Sequence, residues 1–407
     1  MRIAIVTETW PPEINGVALT VAGLAHGLAR DGHAVQLVRP RQAGDVAAPP
    51  CEPGLETLLV SGARLPRYPG LQFGLPAGRR LRALWRARRP DAIYVATEGP
   101  LGWSALRAAR RLGIATSTGF HTRFDDFARH YGFGALAPAI LSWLRRFHRL
   151  GDATFVPTVE LVELLAAKDF GNVVRLPRAV DTALFCSTRR DDALRASWGA
   201  GAEQFVVVHV GRIAAEKNLP LAVRAFRAIE LIAPGARCVW VGDGPARAQL
   251  AAQNPDFIFA GVRRDEDLAR HFASADLFVF PSLTETFGNV TLEALACGIP
   301  TVAFDYGAAH EYLSDACGRR VAFGDADAFV DAACDLAARR APALRRAARA
   351  AVAGLDPRAV AANFARALAV LAARAPAHGR TAADRGSVAP DEHDNGRTMS
   401  HPAGGSP

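Results

Sequence analysis

The sequence predicts an α/β protein made of two doubly wound, Rossmann-like halves that face each other across a cleft. Three observations carry that expectation. Short apolar strands alternate with helical stretches along most of the 407 residues, the same rhythm restarts near residue 205, and a charged, strand-poor segment (180–201) separates the two runs. At this length one domain is too few and two are comfortable. Half of the residues are apolar and the mean hydropathy is close to zero, so a sizeable core can be buried.

Taken in order, Arg2–Thr7 reads as a strand. Gly16–Arg30 reads as a helix, because Val17, Val21, Leu24 and Leu28 recur at helical spacing. Ala34–Val38, Asp91–Ala96 and Ile114–Thr118 are further strands. The second run gives strands at Phe205–Val210, Ala236–Val241, Phe257–Phe259, Leu277–Phe280 and Thr301–Phe304. Helices are expected from Leu219, from Ala246 and around Val290–Cys297. Nearly continuous apolar strands suit parallel sheets covered on both faces. The expected boundaries are 1–190 for the first half and 191–374 for the second. The stretch 375–407, rich in Pro, Gly, Ser and Asp and without periodicity, is expected to be a disordered tail.

Charge is unevenly spread. Residues 1–180 hold 23 Lys+Arg against 14 Asp+Glu, whereas the remainder is nearly balanced. A basic half points to an anionic partner. No nucleic-acid motif interleaves these arginines with aromatics, so a membrane surface is favoured, and an ordinary solvated arginine-rich face accounts for the charge equally well. Leu136–Leu150 shows the same ambiguity, a basic amphipathic helix suited to a membrane surface or simply packed on the core. The six cysteines form no CxxC and no zinc-like cluster, which fits a reduced, cytoplasmic setting. No apolar run reaches the length of a membrane span, and Ile3–Val6 is too short for a signal-peptide core.

Two constellations carry chemistry. Gly211-Arg212 closes a buried strand and Lys217 follows five residues later, so two cations can converge on one polyanion at the strand end, Arg as a planar fork and Lys as a point charge. Without further context this is equally a surface turn. The second is Pro281–Pro300, where a strand ends, a loop carries Glu285, and a helix places Glu293 eight residues on. Thr286, Gly288 and Asn289 lie at that helix start, where free N–H groups suit a phosphate. Paired carboxylates of this kind grip vicinal hydroxyls. The plainer reading makes Glu285 a helix-start charge and Glu293 a solvated residue, although its neighbours Val290, Leu292, Ala294 and Leu295 are apolar.

Together, Arg212, Lys217 and Glu285-x7-Glu293 resemble the donor-site signature of the retaining glycosyltransferases of family 4, with the GT-B fold. Residues 288–312, TETWPPEINGVALTVAGLAHGLARDGH near the start, and Gly119-Phe120-His121-Thr122-Arg123 resemble the same family, and the likeness spans about residues 1–370. It is similar in particular to the branch of mannosyl-, glucosyl- and sulfoquinovosyl-transferases. The resemblance implies transfer of a hexose, mannose from GDP-mannose favoured, from a nucleotide-diphosphate sugar to a lipid-linked, glycolipid or glycan acceptor. It implies retention, no obligatory metal and no cofactor. Arg212 and Lys217 would hold the diphosphate, Glu285 the sugar hydroxyls and Glu293 the ribose. Phe287 would join Thr286, Gly288 and Asn289 around the donor. Gly16 would admit a close approach to phosphate or acceptor, and His121 would offer its ring to a sugar hydroxyl. Asp243, Val262 and Arg263 would line the donor cleft. A UDP-sugar-dependent glucosyl- or sulfoquinovosyl-type transferase, a nucleotide-sugar epimerase of the same fold and a non-catalytic binding module remain the alternatives. The enzyme would sit in the cytoplasm, with peripheral contact to the inner face of the membrane and no nucleic-acid partner.

Other signals are weaker. Asp325-Ala326-Asp327 matches a metal-holding DxD but precedes a helix, where an aspartate caps. Gly242-Asp243-Gly244 continues to Arg247 where a dinucleotide fingerprint wants glycine.

Overall fold

A computed structural model describes residues 1–13, 16–42, 45, 52–64, 72–121, 137–285 and 287–374. The expected tail from residue 375 and the site residue Thr286 lie outside this set.

The first half contains β1 (Arg2–Val6), β2 (Ala34–Pro40), β3 (Leu55–Val60), β4 (Gly62–Arg64), β5 (Gln72–Gly74), β6 (Ala92–Val95), β7 (Ala115–Gly119), β8 (Ala153–Val156) and β9 (Val173–Arg175). Seven of these form one parallel sheet in the order β3-β2-β1-β6-β7-β8-β9, while β4 and β5 pair antiparallel beside it. The second half contains β10 (Val206–Val210), β11 (Arg237–Val241), β12 (Ile258–Gly261), β13 (Leu277–Phe280), β14 (Thr301–Phe304) and β15 (Gly318–Val321). They form a parallel sheet in the order β12-β11-β10-β13-β14-β15.

The side-chain alternation of the strands explains why both sheets are covered twice. Ile3 and Ile5 enter one core layer and Ala4 and Val6 the opposite one. In β10, Val206, Val208 and Val210 face one layer and Val207 the other. The helix Gly16–Arg30 has its expected limits and buries Val21, Leu24 and Leu28.

Two features depart from the sequence expectation. From Val180 onward the connecting segment already belongs to the second core, with Val180, Phe185 and Trp198 packed there. The last helix, Pro357–Arg374, expected within the second half, instead lies on the first. Its Val360, Phe364, Leu368 and Leu371 share a core layer with Ile3, Val21 and Leu28. Gly27 permits the approach, since a Cβ there would stand 2.6 Å from Ala361 Cβ. Periodicity reveals an apolar stripe and says nothing about which sheet will cover it. The two chain segments that link the halves run side by side, and Val180 N donates to Leu355 O at 2.9 Å.

The helix Ala137–His148 buries Leu144 and Phe147 and leaves Trp143 exposed, so it packs on the core and presents an outer face as well. None of the described helices is long and apolar enough to cross a membrane. Five cysteines, among the described residues, are free thiols.

Candidate functional site

In the second sheet the chain runs from β10 outward to β11 and β12, then returns to β13 on the other side of β10. Such a reversal opens a crevice at the carboxyl ends of the two central strands. Arg212 and Lys217 follow β10, and Glu285 follows β13.

The loops here are stitched tightly. Gly211 N donates to Val241 O at 3.0 Å, Gly242 N to Gly261 O at 2.8 Å, and Ile213 N to Asp243 O at 3.0 Å. Gly242 has φ 136°, and a Cβ on it would lie 1.9 Å from Gly211 O, so only glycine fits. This brings the segments bearing Arg212, Asp243, Val262 and Arg263 onto one rim. Asp243, however, is turned into its own loop, where Oδ1 accepts from Gly244 N at 2.8 Å. Arg263 pairs with Asp267 at 3.0 Å, and Val262 is exposed.

Lys217 and Glu285 meet directly. Lys217 Nζ donates to Glu285 Oε1, and Ser282 Oγ donates to the same oxygen at 3.2 Å. The ammonium also lies 5.5 Å from the centre of the Phe280 ring. Two bonds hold the surrounding loop: Leu283 N to Glu216 O at 2.9 Å, and Tyr306 Oη to Ser282 O at 2.7 Å. Arg212 differs, being 61% exposed with a single long contact of 3.4 Å to Glu216. A pre-set ammonium and a free-swinging guanidinium thus flank one crevice.

Gly288, at φ 88°, precedes the helix Asn289–Ala296 and turns its first N–H groups outward. Phe287 is buried, and its carbonyl accepts from Ala308 N at 2.7 Å, which anchors the loop from behind. Glu293 lies one turn into the helix and is half-buried as a residue. Its Oε2 is nevertheless shut off from solvent without a hydrogen bond, and burial pushes the carboxyl up to about 7. An orphaned buried carboxylate oxygen is an acceptor in search of a donor.

Across the crevice, Gly16 opens its helix, and a Cβ on it would stand 3.5 Å from Asn289 Nδ2. The structure therefore brings Gly16 and Asn289 together from the two halves. His121 is placed otherwise than expected. It is buried at the end of β7, with Arg178 Nη2 donating to Nδ1 and Tyr94 Oη against Nε2, both at 2.7 Å. A guanidinium cannot accept, so Nδ1 must, and the neutral ring carries its proton on Nε2. Burial, then Arg178, hold His121 well below its ordinary value. Neither ring nitrogen is left for a sugar hydroxyl.

Several groups escaped the sequence reading. Glu8, after β1, accepts from Leu101 N at 2.9 Å. Burial raises it to about 7 against these backbone bonds, and nearby Glu98 adds to the rise. Gly99 exists to make room, since a Cβ there would lie 1.9 Å from Glu8 Oε2. Glu8 and Glu98 end β1 and β6, the central pair of the first sheet, so the strand-end rule that located Arg212 would have found them too. Arg178 is a buried guanidinium, lowered to about 10 by burial, with Nε unpaired. Asp325 caps its helix by accepting from Ala328 N at 3.0 Å, and Asp327 pairs with Arg224.

The chain matches the model for glycosyl transferases group 1 over residues 204–339 and that for glycosyltransferase family 4 over residues 14–184. It is 36% identical over 316 residues to a GDP-mannose-dependent alpha-mannosyltransferase of Mycobacterium tuberculosis, covering 77% of this chain and 82% of that one. It is 32% identical to the sulfoquinovosyl transferase SQD2 of Arabidopsis thaliana, over 58% of this chain and 47% of the relative. In fold it is similar to a sucrose-phosphate synthase from Thermosynechococcus elongatus, with a TM-score of 0.74, 20% identity and coverage of 91% and 99%. With two doubly wound halves and a paired cation and carboxylate at the strand-end crevice of the second, the chain belongs to the GT-B glycosyltransferases of family 4.

Proposed function

We propose that this glycosyltransferase moves a hexose, mannose from GDP-mannose in preference, onto a lipid-linked, glycolipid or glycan acceptor with retention of configuration. The observation that carries the reading is the crevice itself: Lys217 bonded to Glu285, beside the helix start at Gly288 and the unpartnered carboxylate of Glu293. The named function of the mycobacterial relative supports the sugar and the nucleotide.

Departure of a nucleoside diphosphate develops negative charge on its terminal phosphate. Lys217, already in place, and Arg212, free to turn inward, stabilise that charge together with the N–H groups after Gly288. Two cations occupy the role of a metal, so no metal or cofactor is required. Glu285, fixed by Lys217 and Ser282, receives sugar hydroxyls, and the orphaned oxygen of Glu293 receives the ribose. The leaving phosphate takes the acceptor proton as the new bond forms on the same face, so neither glutamate acts as the base. An enzyme with this donor and acceptor works from the cytoplasm, on the inner face of the membrane.

A thermal-shift screen of GDP-, UDP- and ADP-sugars tests the donor. Stabilisation by GDP-mannose is expected, a preference for UDP-sugars would transfer the reading to the glucosyl or sulfoquinovosyl type, and no shift with any would sink the site. Labelled donor with membrane extract then separates transfer, seen as product in the lipid phase, from epimerisation, seen as a free isomer.

A further inference from the structure

Side chains tie the two halves together as well as the chain segments that link them. The helix Gly307–Tyr312, on the second half, carries Glu311, whose side chain is 6% exposed. Both of its oxygens are claimed by the first half. Oε1 accepts from Val159 N at 2.5 Å, and Oε2 accepts from Arg175 Nη2 at 2.5 Å. The same Nη2 reaches Tyr312 Oη at 3.3 Å. Val159 opens the helix Val159–Ala167, which Thr158 already caps by accepting from Leu161 N at 3.1 Å. The N–H of Val159 is therefore one of the donors a helix start leaves over, and a carboxylate there meets the favourable end of the helix dipole. The tie is returned, since Gly307 N faces Glu160 Oε2 at 3.5 Å. Each half thus lends a glutamate to a helix start of the other.

On its other side the same segment holds the loop that bears Glu285. Tyr306 Oη donates to Ser282 O and Ala308 N donates to Phe287 O, both at 2.7 Å, so two bonds bracket Glu285 in the sequence. Gly307 admits this approach, because a Cβ on it would stand 2.6 Å from Phe287 O. The Phe287 and Tyr312 rings meet edge to face, with centres 6.4 Å apart. The stretch 306–312 therefore bears on the Glu285 loop at one end and on Arg175 and Val159 at the other.

We infer that Glu311 is a positioning residue for glycosyl transfer: with Arg175 and the Val159 amide it sets the distance between the Glu285 loop and the first half. The inference rests on the reading that Glu285 holds the donor sugar. Transfer then requires that sugar and the group receiving it to stand at a fixed separation, and a misplacement of about 1 Å costs roughly 100-fold. With both oxygens engaged and its side chain shut away, Glu311 acts on the sugar through the loop and not by contact.

Two rates measured side by side test it. Labelled GDP-mannose with membrane extract gives transfer as lipid-phase product, and purified protein alone gives donor hydrolysis as free sugar. Glu311→Ala is expected to lower transfer about 100-fold while hydrolysis, which needs only the donor half, falls much less. Arg175→Ala, at a 40% exposed side chain, is expected to lose about tenfold, the worth of one charge-assisted bond. Arg175→Lys, which restores a donor and a charge, recovers most of that loss. Donor KM and the donor-induced thermal shift stay as in the wild type. A fall of transfer and hydrolysis in equal proportion would mark a folding role only and overturn the inference, as would wild-type transfer in Glu311→Ala and Arg175→Ala. A further readout needs no donor: Glu311→Ala should speed hydrogen exchange at the Val159 amide and enlarge the radius of gyration in small-angle scattering. If neither changes, the brace is refuted whatever the donor proves to be. If no nucleotide sugar stabilises the wild type, the donor reading fails, and the positioning role falls with it even where the brace is seen.

Discussion

Replacing Glu293 with glutamine should stabilise the free protein while weakening its hold on the nucleotide. The carboxyl is raised to about 7 by burial, from an ordinary value near 4.5, and its Oε2 has no donor. The sign follows from linkage: a raised folded-state value means that the protonated form is the comfortable one. The stability it confers is complete below pH 4.5 and is lost as pH rises through about 7. At pH 8 the ionised group therefore costs the folded state about 3 kcal/mol. Glutamine keeps the shape and removes the charge. Melting curves should show Glu293→Gln more stable than wild type at pH 8, by several degrees, with the difference vanishing near pH 4.5. Nucleotide titration at pH 8 should show the opposite, because a hydroxyl bonded to a charged acceptor is worth about 1.5–3 kcal/mol, or about 10- to 150-fold in affinity. A variant that is no more stable at pH 8, or that binds the nucleotide as tightly as wild type, would refute the assignment of this carboxylate to the donor.

Lys217→Ala should reduce turnover by about two to three orders of magnitude, more than Arg212→Ala does, since Lys217 is pre-set and Arg212 is 61% exposed; steady-state kinetics of both variants decide it. Glu8→Gln should be stabilising at pH 8 and neutral near pH 4.5, because burial raises Glu8 to about 7 as well, and its melting curves are read in the same way. Gly242→Ala should destabilise by more than about 3 kcal/mol, since it adds strain at a positive φ and a clash with Gly211 O; chemical denaturation measures it. Arg178→Met should leave His121 neutral but raise its titration, by removing an adjacent cation while burial persists; NMR of the imidazole protons follows that change.

The rhythm of strands and helices was legible because its cause is local. A strand buried on both faces must be apolar throughout, and a helix shows its stripe, so Gly16–Arg30 and Leu277–Phe280 could be read to the residue. Strands β3, β4, β5, β8, β9 and β15 were not read, and shortness alone is not the cause, since β3 has six residues while β13, with four, was read. The charged residues of the second-half crevice were legible for a different reason: Arg212, Lys217, Glu285 and Glu293 are charges beside apolar strand ends or inside an apolar helix, where a charge needs an explanation. His121 shows the limit. Its partners Tyr94 and Arg178 come from 27 and 57 residues away, and only the folded chain reveals that both ring nitrogens are engaged. The helix Pro357–Arg374 was misplaced for the same reason, since its covering surface belongs to strands at the other end of the chain.

That returning helix has a mechanical consequence. A single connecting segment would let two bodies swivel about any axis, and a well-separated pair would restrict them to one. Here the outgoing segment at Val180 and the homeward one at Leu355 are bonded to each other, so they form a doubled strap. Such a strap twists reluctantly but bends, much as a leather hinge does. The glycosyltransferase should therefore open and shut like a book bound along one spine, keeping Gly16 in line with Asn289 as the pages part.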